Sequence, residues 1–338
     1  MLSEIYRPIQ SVLDQIESDL SEFESSLKQA TFSVSDSKHF KINKGKKIRA
    51  ALVLFCAGLA SEESGDSSPD ARKVALAVEL LHFASLVHDD ILDQEKERRG
   101  AEPVYQQLSL RKAVLLGDYI MAQSLMGLPE SVYERGSKSL LSVVSQMCVG
   151  EFIQLQMRES IMALPEYRQA YQEVNFRKTA LLFGQACWIG SHLSPQLSPS
   201  NREHLQIFGE HFGLAFQLLD DSLEITDQIT ESNTPRNFDA SQGILTLPYL
   251  IYADEILKIH DVSSFTQFKQ QLMFSDYLMH THRKMIEDGI FSRVADEIQL
   301  ELDFSANELQ DNSSPFSANL LLLVDHLREK CLVLKSLS

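Results

Sequence analysis

Asp89 and Asp93 stand four residues apart in the segment His88-Asp89-Asp90-Ile91-Leu92-Asp93. On a helix that spacing projects both carboxylates from one face. Two like charges so close repel each other and cost stability, and a divalent cation reverses the sign of that interaction. Mg2+ prefers hard oxygen ligands and commonly takes one or two carboxylates together with phosphate oxygens. A second cluster, Gln217-Leu218-Leu219-Asp220-Asp221-Ser222-Leu223-Glu224, repeats the pattern, with Asp220 and Glu224 again four apart. Phe216, Leu219 and Leu223 predict a helix whose acidic face looks inward, where carboxylates need a partner. One such cluster reads equally well as a solvated acidic face. Two, each closing a strongly apolar helix, point to a shared metal-diphosphate site.

Basic residues answer these acids. Arg98 and Arg99 follow the first cluster directly, and Gly45-Lys46-Lys47-Ile48-Arg49 lies upstream. Lys46 and Arg49 are three apart and are expected to share the face of a helix whose N-terminus itself favours anions. Arg suits bidentate diphosphate contact, and Lys acts as a point charge. Arg177-Lys178-Thr179 forms a polar island in an apolar helix, and His82 precedes His88 by six residues. Taken alone, His82 reads better as a hydrogen-bonded structural histidine.

These groups need a scaffold. Only 14 Gly and 10 Pro interrupt 338 residues, hydrophobic residues make up 44 %, and strand alternation is scarce. Periodicity predicts helices near 5–29, 46–60, 69–93, 107–127, 131–160, 165–191, 200–226, 243–258 and 276–292, with two or more beyond. The expectation is an all-α fold, a single large helical bundle over 1–338, with no linker long enough to force a second domain. A formal charge of −16 argues against a nucleic-acid partner. The four cysteines are widely spaced, with no CxxC, and are expected to be reduced. The first ten residues carry no apolar signal region, and the longest apolar runs, such as Ala50–Ala60, are too short to span a bilayer. A soluble cytoplasmic protein is the default expectation.

In order along residues 43–250, these pieces resemble trans-isoprenyl diphosphate synthases, the polyprenyl synthetase family. The segments that carry the resemblance are GKKIR at 45–49, HFASLVHDDILDQEKERRG at 82–100, LLGDYIMAQSL at 115–125, GEFIQL at 150–155, KTALLF at 178–183, GLAFQLLDDSLE at 213–224 and TLP at 246–248. The resemblance implies a bundle of the isoprenoid synthase type with a central apolar substrate cavity, acting as a homodimeric Mg2+-dependent prenyltransferase. Asp89, Asp90, Asp93, Asp220, Asp221 and Glu224 would hold several Mg2+ ions against an allylic diphosphate, which Arg98, Lys178 and Gln217 would contact. Lys46, Arg49, His82 and Arg99 would hold isopentenyl diphosphate. Thr179 and Phe216 match residues near the reacting carbons.

Three departures stand out. Glu224 occupies a position where the family usually has Asp, and Thr234 and Ile244 fall in register with two positions where it usually has Lys. They motivate a second hypothesis, an altered member serving as a partner subunit of a hetero-oligomeric synthase or as a prenyl diphosphate cyclase. A third, a di-iron carboxylate bundle, needs two Glu-x-x-His motifs; only Glu79–His82 supplies one. The positions that set product length in the family, four and five residues before the first Asp, are the small Ser85 and Ala84, with Leu81 and Leu80 a turn lower. A product longer than farnesyl, geranylgeranyl or beyond, is expected unless Met121 or Phe152 from a neighbouring helix blocks the tunnel.

Overall fold

The computed structural model describes residues 2–31, 41–42, 45–58, 69–94, 102–231, 240, 243–259, 261–309 and 315–337, and every regular element among them is helical. They cluster into two compact units. One is Met1–Leu140 with Ala186–Leu205 and Asn312–Leu320; the other is Leu141–Gln185 with Gln206–Asp311 and Leu321–Ser338.

In the first unit, α1 (Leu2–Ile5) and a 3-10 turn at Arg7–Ile9 lead into α2 (Gln10–Thr31). Pro8 lacks a backbone N–H, so the helix expected from residue 5 runs uninterrupted only from Gln10. Next come α3 (Ile48–Gly58), α4 (Pro69–Leu92), α5 (Val104–Leu108) and α6 (Leu110–Met126). Helix α4 is the centre of this unit, packed by α2, α3, α5 and α6. Helical spacing puts Ala75, Val78, Leu81 and Ser85 on one face of α4, and of these Ala75, Val78 and Leu81 are buried and Ser85 is half-buried. Burying such stripes, at about 25 cal/mol per Å2 of apolar surface, is the main force holding these helices together.

Helix α7 (Tyr133–Glu159) follows. It alone among the described residues is long and apolar enough to cross a membrane, by length and composition only. The second unit holds α8 (Leu164–Asn175) and a π-helical segment (Phe176–Ala180), while α9 (Leu181–His192) and α10 (Pro199–Glu231) have residues in both units, 186–192 and 199–205 falling in the first. The chain continues through α11 (Leu247–Ile251), a second π segment (Tyr252–Ile256), α12 (Val262–Leu272), α13 (Ser275–Glu287), α14 (Ile290–Asn307) and α15 (Pro315–Ser336).

Four features differ from the sequence expectations. The single helix expected over 165–191 is interrupted by the π segment. The one expected over 243–258 is a short α-helix running into the second π segment. The helix expected through 292 stops at Glu287, because Gly289 turns the chain at φ 69°. Helix α12 was not anticipated. Only Phe265, Phe268 and Leu272 form its buried face among Ser, Thr, Gln and Lys, and Asp261 caps it by accepting from Ser264 N–H at 2.8 Å.

Within the second unit, α10 lies close against Ala180 and α9, because residue 213 is glycine. A Cβ there would sit 2.9 Å from Ala180 Cα and 2.9 Å from Phe183 Cβ. Gly213→Ala is therefore expected to cost about 1–3 kcal/mol of stability through overpacking, read by urea unfolding. A change under about 0.5 kcal/mol would place it among ordinary surface substitutions and show that the helices part freely.

Candidate active site

In the first unit the acidic motif closes α4. Asp93 N–H donates to Asp89 C=O at 2.8 Å, so helical register holds through the motif and both side chains leave the same face, half-buried. Asp90 lies about 100° round the helix and is 2 % exposed, on the core side. The motif is fixed to α6 through His88. Its Nε2 lies 3.2 Å from the Val114 carbonyl and 3.5 Å from Asp118 Oδ1. Both are acceptors, so that nitrogen carries the proton. Gly117 leaves room for the ring: a Cβ there would fall 2.2 Å from His88 Nε2.

The basic segment is arranged differently from the expectation. Helix α3 begins at Ile48, after Lys47 at φ 52°. Lys46 therefore lies before the helix rather than on one face of it with Arg49. The Lys46 carbonyl accepts from Tyr6 Oη at 3.1 Å, which anchors the segment, and its side chain is exposed. Lys47 is taken up by Glu17 at 2.6 Å. Arg49 and His82 are half-buried. Glu79 accepts from Ala50 N–H at 3.0 Å at the start of α3. The Glu79–His82 pair of the di-iron hypothesis is thus partly committed to holding that helix.

In the second unit the Arg177-Lys178-Thr179 island falls on the π segment. Such segments insert an extra residue into a helical turn and redirect side chains, often at functional sites. Lys178 Nζ pairs with Glu151 and donates to Gln154 Oε1 at 3.1 Å, both on α7. Thr179 Oγ1 donates to Gln217 Oε1 at 2.9 Å, on α10. Gln217 Nε2 donates to Asp221 Oδ1 at 2.6 Å, and Tyr171 Oη donates to Asp221 Oδ2 at 2.6 Å. Burial and the neighbouring Asp221 anion push the Tyr171 hydroxyl well above its usual 10, so it stays a donor. Phe216 lies with its ring centroid 5.4 Å from that of Phe183. Asp220 and Glu224, one turn apart on α10, are exposed.

Sequence reasoning named Thr179, Gln217 and Asp221 as separate candidates, and the structure links them by hydrogen bonds, while the neighbouring Lys178 turns to α7. It missed Tyr171, whose signal is faint: a tyrosine two turns ahead of Lys178 on a helix otherwise read for its apolar positions. Arg98, Arg99 and Thr234 lie outside the described residues. Ile244 is 6 % exposed, beside Leu245, whose N–H donates to Tyr167 Oη at 2.8 Å. A lysine substituted at 244 would put an ammonium in an apolar environment at considerable cost.

The donors suit a hard cation. Asp89 with Asp93, and Asp220 with Glu224, are all-oxygen pairs without Cys or His. Among the described residues no three His, Cys, Asp or Glu converge into a closed metal cage. All-oxygen pairs suit Mg2+, which commonly takes one or two carboxylates and completes its shell with water and phosphate oxygens. Arg177 pairs with Glu173 at 2.6 Å, and Lys178 with Glu151. The cations of the π segment are thus matched by glutamates, and a bound diphosphate calls for further positive charge.

The chain resembles known proteins in both sequence and fold. The family model described as Polyprenyl synthetase matches residues 35–263. A prenyl transferase of Porphyra purpurea is 30 % identical over 250 residues, covering 73 % of this chain and 75 % of its own length. Heptaprenyl diphosphate synthase component 2 of Geobacillus stearothermophilus is 33 % identical over 215 residues, covering 63 % of this chain and 65 % of its own length. Among solved structures, a polyprenyl synthase from Caulobacter crescentus complexed with calcium and isoprenyl diphosphate superposes with a TM-score of 0.79. It shares 22 % identity and covers 97 % of both chains. A decaprenyl diphosphate synthase from Rhodobacter capsulatus gives the same TM-score and identity, covering 97 % of this chain and 99 % of its own. At that identity these two speak for the fold alone, whereas the family match and the Porphyra relative establish kinship: the chain belongs to the polyprenyl synthetase family of prenyltransferases.

Proposed function

We propose that this chain joins an allylic diphosphate to isopentenyl diphosphate, releasing inorganic diphosphate and forming a longer all-trans polyprenyl diphosphate. The observation that carries this reading is the contact between the Lys178-Thr179 motif and the second acidic motif, 38 residues apart at Thr179–Gln217. Two segments that carry the family's chemistry form one polar site.

Asp89 with Asp93, and Asp220 with Glu224, would hold Mg2+. When bound, Mg2+ supplies Lewis-acid neutralisation of the leaving diphosphate. The chain's own groups do the positioning. Arg98, Lys178 and Gln217 contact the allylic diphosphate; Lys46, Arg49, His82 and Arg99 hold isopentenyl diphosphate. The allylic C–O bond ionises, its electron pair leaving with diphosphate. The isopentenyl double bond attacks the cationic carbon, and the adjacent C–H proton leaves to the released diphosphate. Thr179 and Phe216 line the reacting carbons, where exclusion of water protects the cation. The protein contributes mainly orientation and fixed charge.

Asp89→Ala is expected to lower kcat at least about a hundredfold, since several kcal/mol of leaving-group stabilisation are lost. The fold should persist, because one of two repelling carboxylates is gone. EDTA should abolish diphosphate release, and Mg2+ restore it. Near-normal turnover in Asp89→Ala would overturn the mechanism.

The product is longer than farnesyl in this reading. Ser85 lies one turn, about 5.4 Å, below Asp89 on the same face and is half-buried, whereas Ala84 is fully buried. Ser85→Phe is therefore a cleaner block than Ala84→Phe, which would overpack the core. Chromatography with excess isopentenyl diphosphate should show geranylgeranyl or longer chains from the wild type and shorter ones from Ser85→Phe. Farnesyl alone from the wild type would refute the open floor.

The protein is a homodimer in this reading. Leu115, Tyr119 and Met126 lie along one face of α6 at 68, 39 and 66 % exposure, a stripe whose burial a second copy would provide. Leu115→Glu/Met126→Glu should sediment as a monomer where the wild type sediments as a dimer. A wild type that is monomeric at micromolar concentration would count against it.

A further inference from the structure

Tyr171 belongs to none of the motifs that mark the reaction, yet it ends the chain of hydrogen bonds that runs through them. It sits on α8 and is 3 % exposed. Its hydroxyl donates across 50 residues to Asp221 Oδ2 at 2.6 Å. The other oxygen of Asp221 accepts from Gln217 Nε2 at 2.6 Å, and Gln217 Oε1 accepts from Thr179 Oγ1 at 2.9 Å.

The sense of this chain is forced. An ionised carboxylate only accepts, so the Gln217 amide must turn its NH2 to Asp221 and its carbonyl to Thr179. The Thr179 hydroxyl must then spend its one proton on Gln217. Its oxygen lone pairs remain for whatever lies on its open side, and it has no proton left to donate there. Hydrogen bonds to a charged acceptor are the stronger kind, and linked ones polarise each other.

We propose that Tyr171 is a positioning residue for prenyl transfer: by holding Asp221 it fixes the orientation of Gln217, so that Thr179 presents oxygen lone pairs, and no competing proton, toward the carbon that becomes cationic. The inference rests on the function proposed above. It also gives Asp221 a distinct part, that of orienting Gln217, beside the Asp220–Glu224 pair suited to a metal.

The test is a double-mutant cycle in the full-length protein, with Tyr171→Phe, Thr179→Val and their combination, assayed with farnesyl diphosphate, isopentenyl diphosphate and Mg2+. Tyr171→Phe should lower kcat about ten- to a hundredfold, the scale of one charged hydrogen bond, with KM for isopentenyl diphosphate changed less than about twofold. The two side chains are linked through Gln217 and Asp221, so the double variant should be scarcely slower than the slower single one. Thr179→Ser, which keeps the hydroxyl, should recover most of the rate lost in Thr179→Val. If Tyr171→Phe does not fold, Asp221→Asn replaces it in the cycle, since an amide can turn an N–H toward Gln217 and disrupt the sense of the chain. Multiplicative losses, an unchanged kcat, or equal rises in both KM values would overturn the positioning role. A wild type that forms no product with any primer would instead overturn the proposed function, and this inference with it.

Discussion

An acidic chain that handles diphosphates must obtain positive charge from elsewhere. This protein carries a formal charge of −16, and the cations beside its motifs come already matched: Lys178 with Glu151, Arg177 with Glu173, Lys47 with Glu17. Against that background the paired carboxylates would be, in the proposed function, its means of recruiting charge. Carboxylates one turn apart on a helix repel by a few tenths of a kcal/mol when exposed, and by more as the surroundings become less polar. The fold carries that cost in the resting state, and a divalent cation turns the same spacing into attraction.

Such pairs are useful only if they are held still, and the molecule does this by close approach and committed hydrogen bonds. His88 is fixed on α6 where Gly117 leaves room for the imidazole. Gly213 lets α10 approach Ala180 within the reach that the Thr179–Gln217 bond needs. The π segment then serves two helices with neighbouring residues, Lys178 going to α7 and Thr179 to α10. Lys178 is held by Glu151 and Gln154 before any ligand arrives, so part of the entropic cost of ordering its long side chain is met by the fold itself.

What was legible in the sequence was periodic or charged. The apolar stripe of α4 and the four-residue spacing of Asp89 and Asp93 follow from helical geometry, and both are present. What was not legible depended on contacts between distant segments. Helix α12 has three apolar anchors, too few to stand out before they meet the rest of their unit. The π segment replaces regular periodicity over five residues in a helix whose flanks looked continuous. Lys46 and Arg49 have helical spacing, but Lys47 at positive φ leaves Lys46 outside α3. Asp90 sits in an acidic run, and only the packing of α4 reveals that its side chain is on the core side. Tyr171 could not be ranked above other tyrosines until Asp221 was found beside it.

The same reasoning bears on the cationic positions that depart from the family's habit. A side chain can replace a lost lysine only from a place where an ammonium can stay solvated or paired. Ile244 is not such a place: it lies in the buried run 243–250, and the N–H of the next residue is held by Tyr167. The change at 244 is thus a change in the local core as well as in charge. In the proposed function, a site that keeps its carboxylates without a lysine at 244 would lean further on bound metal. Glu224, one methylene longer than aspartate and exposed on α10, fits that shift. If Glu224 held a metal, its extra methylene would give the carboxylate a longer reach from the helix than aspartate has.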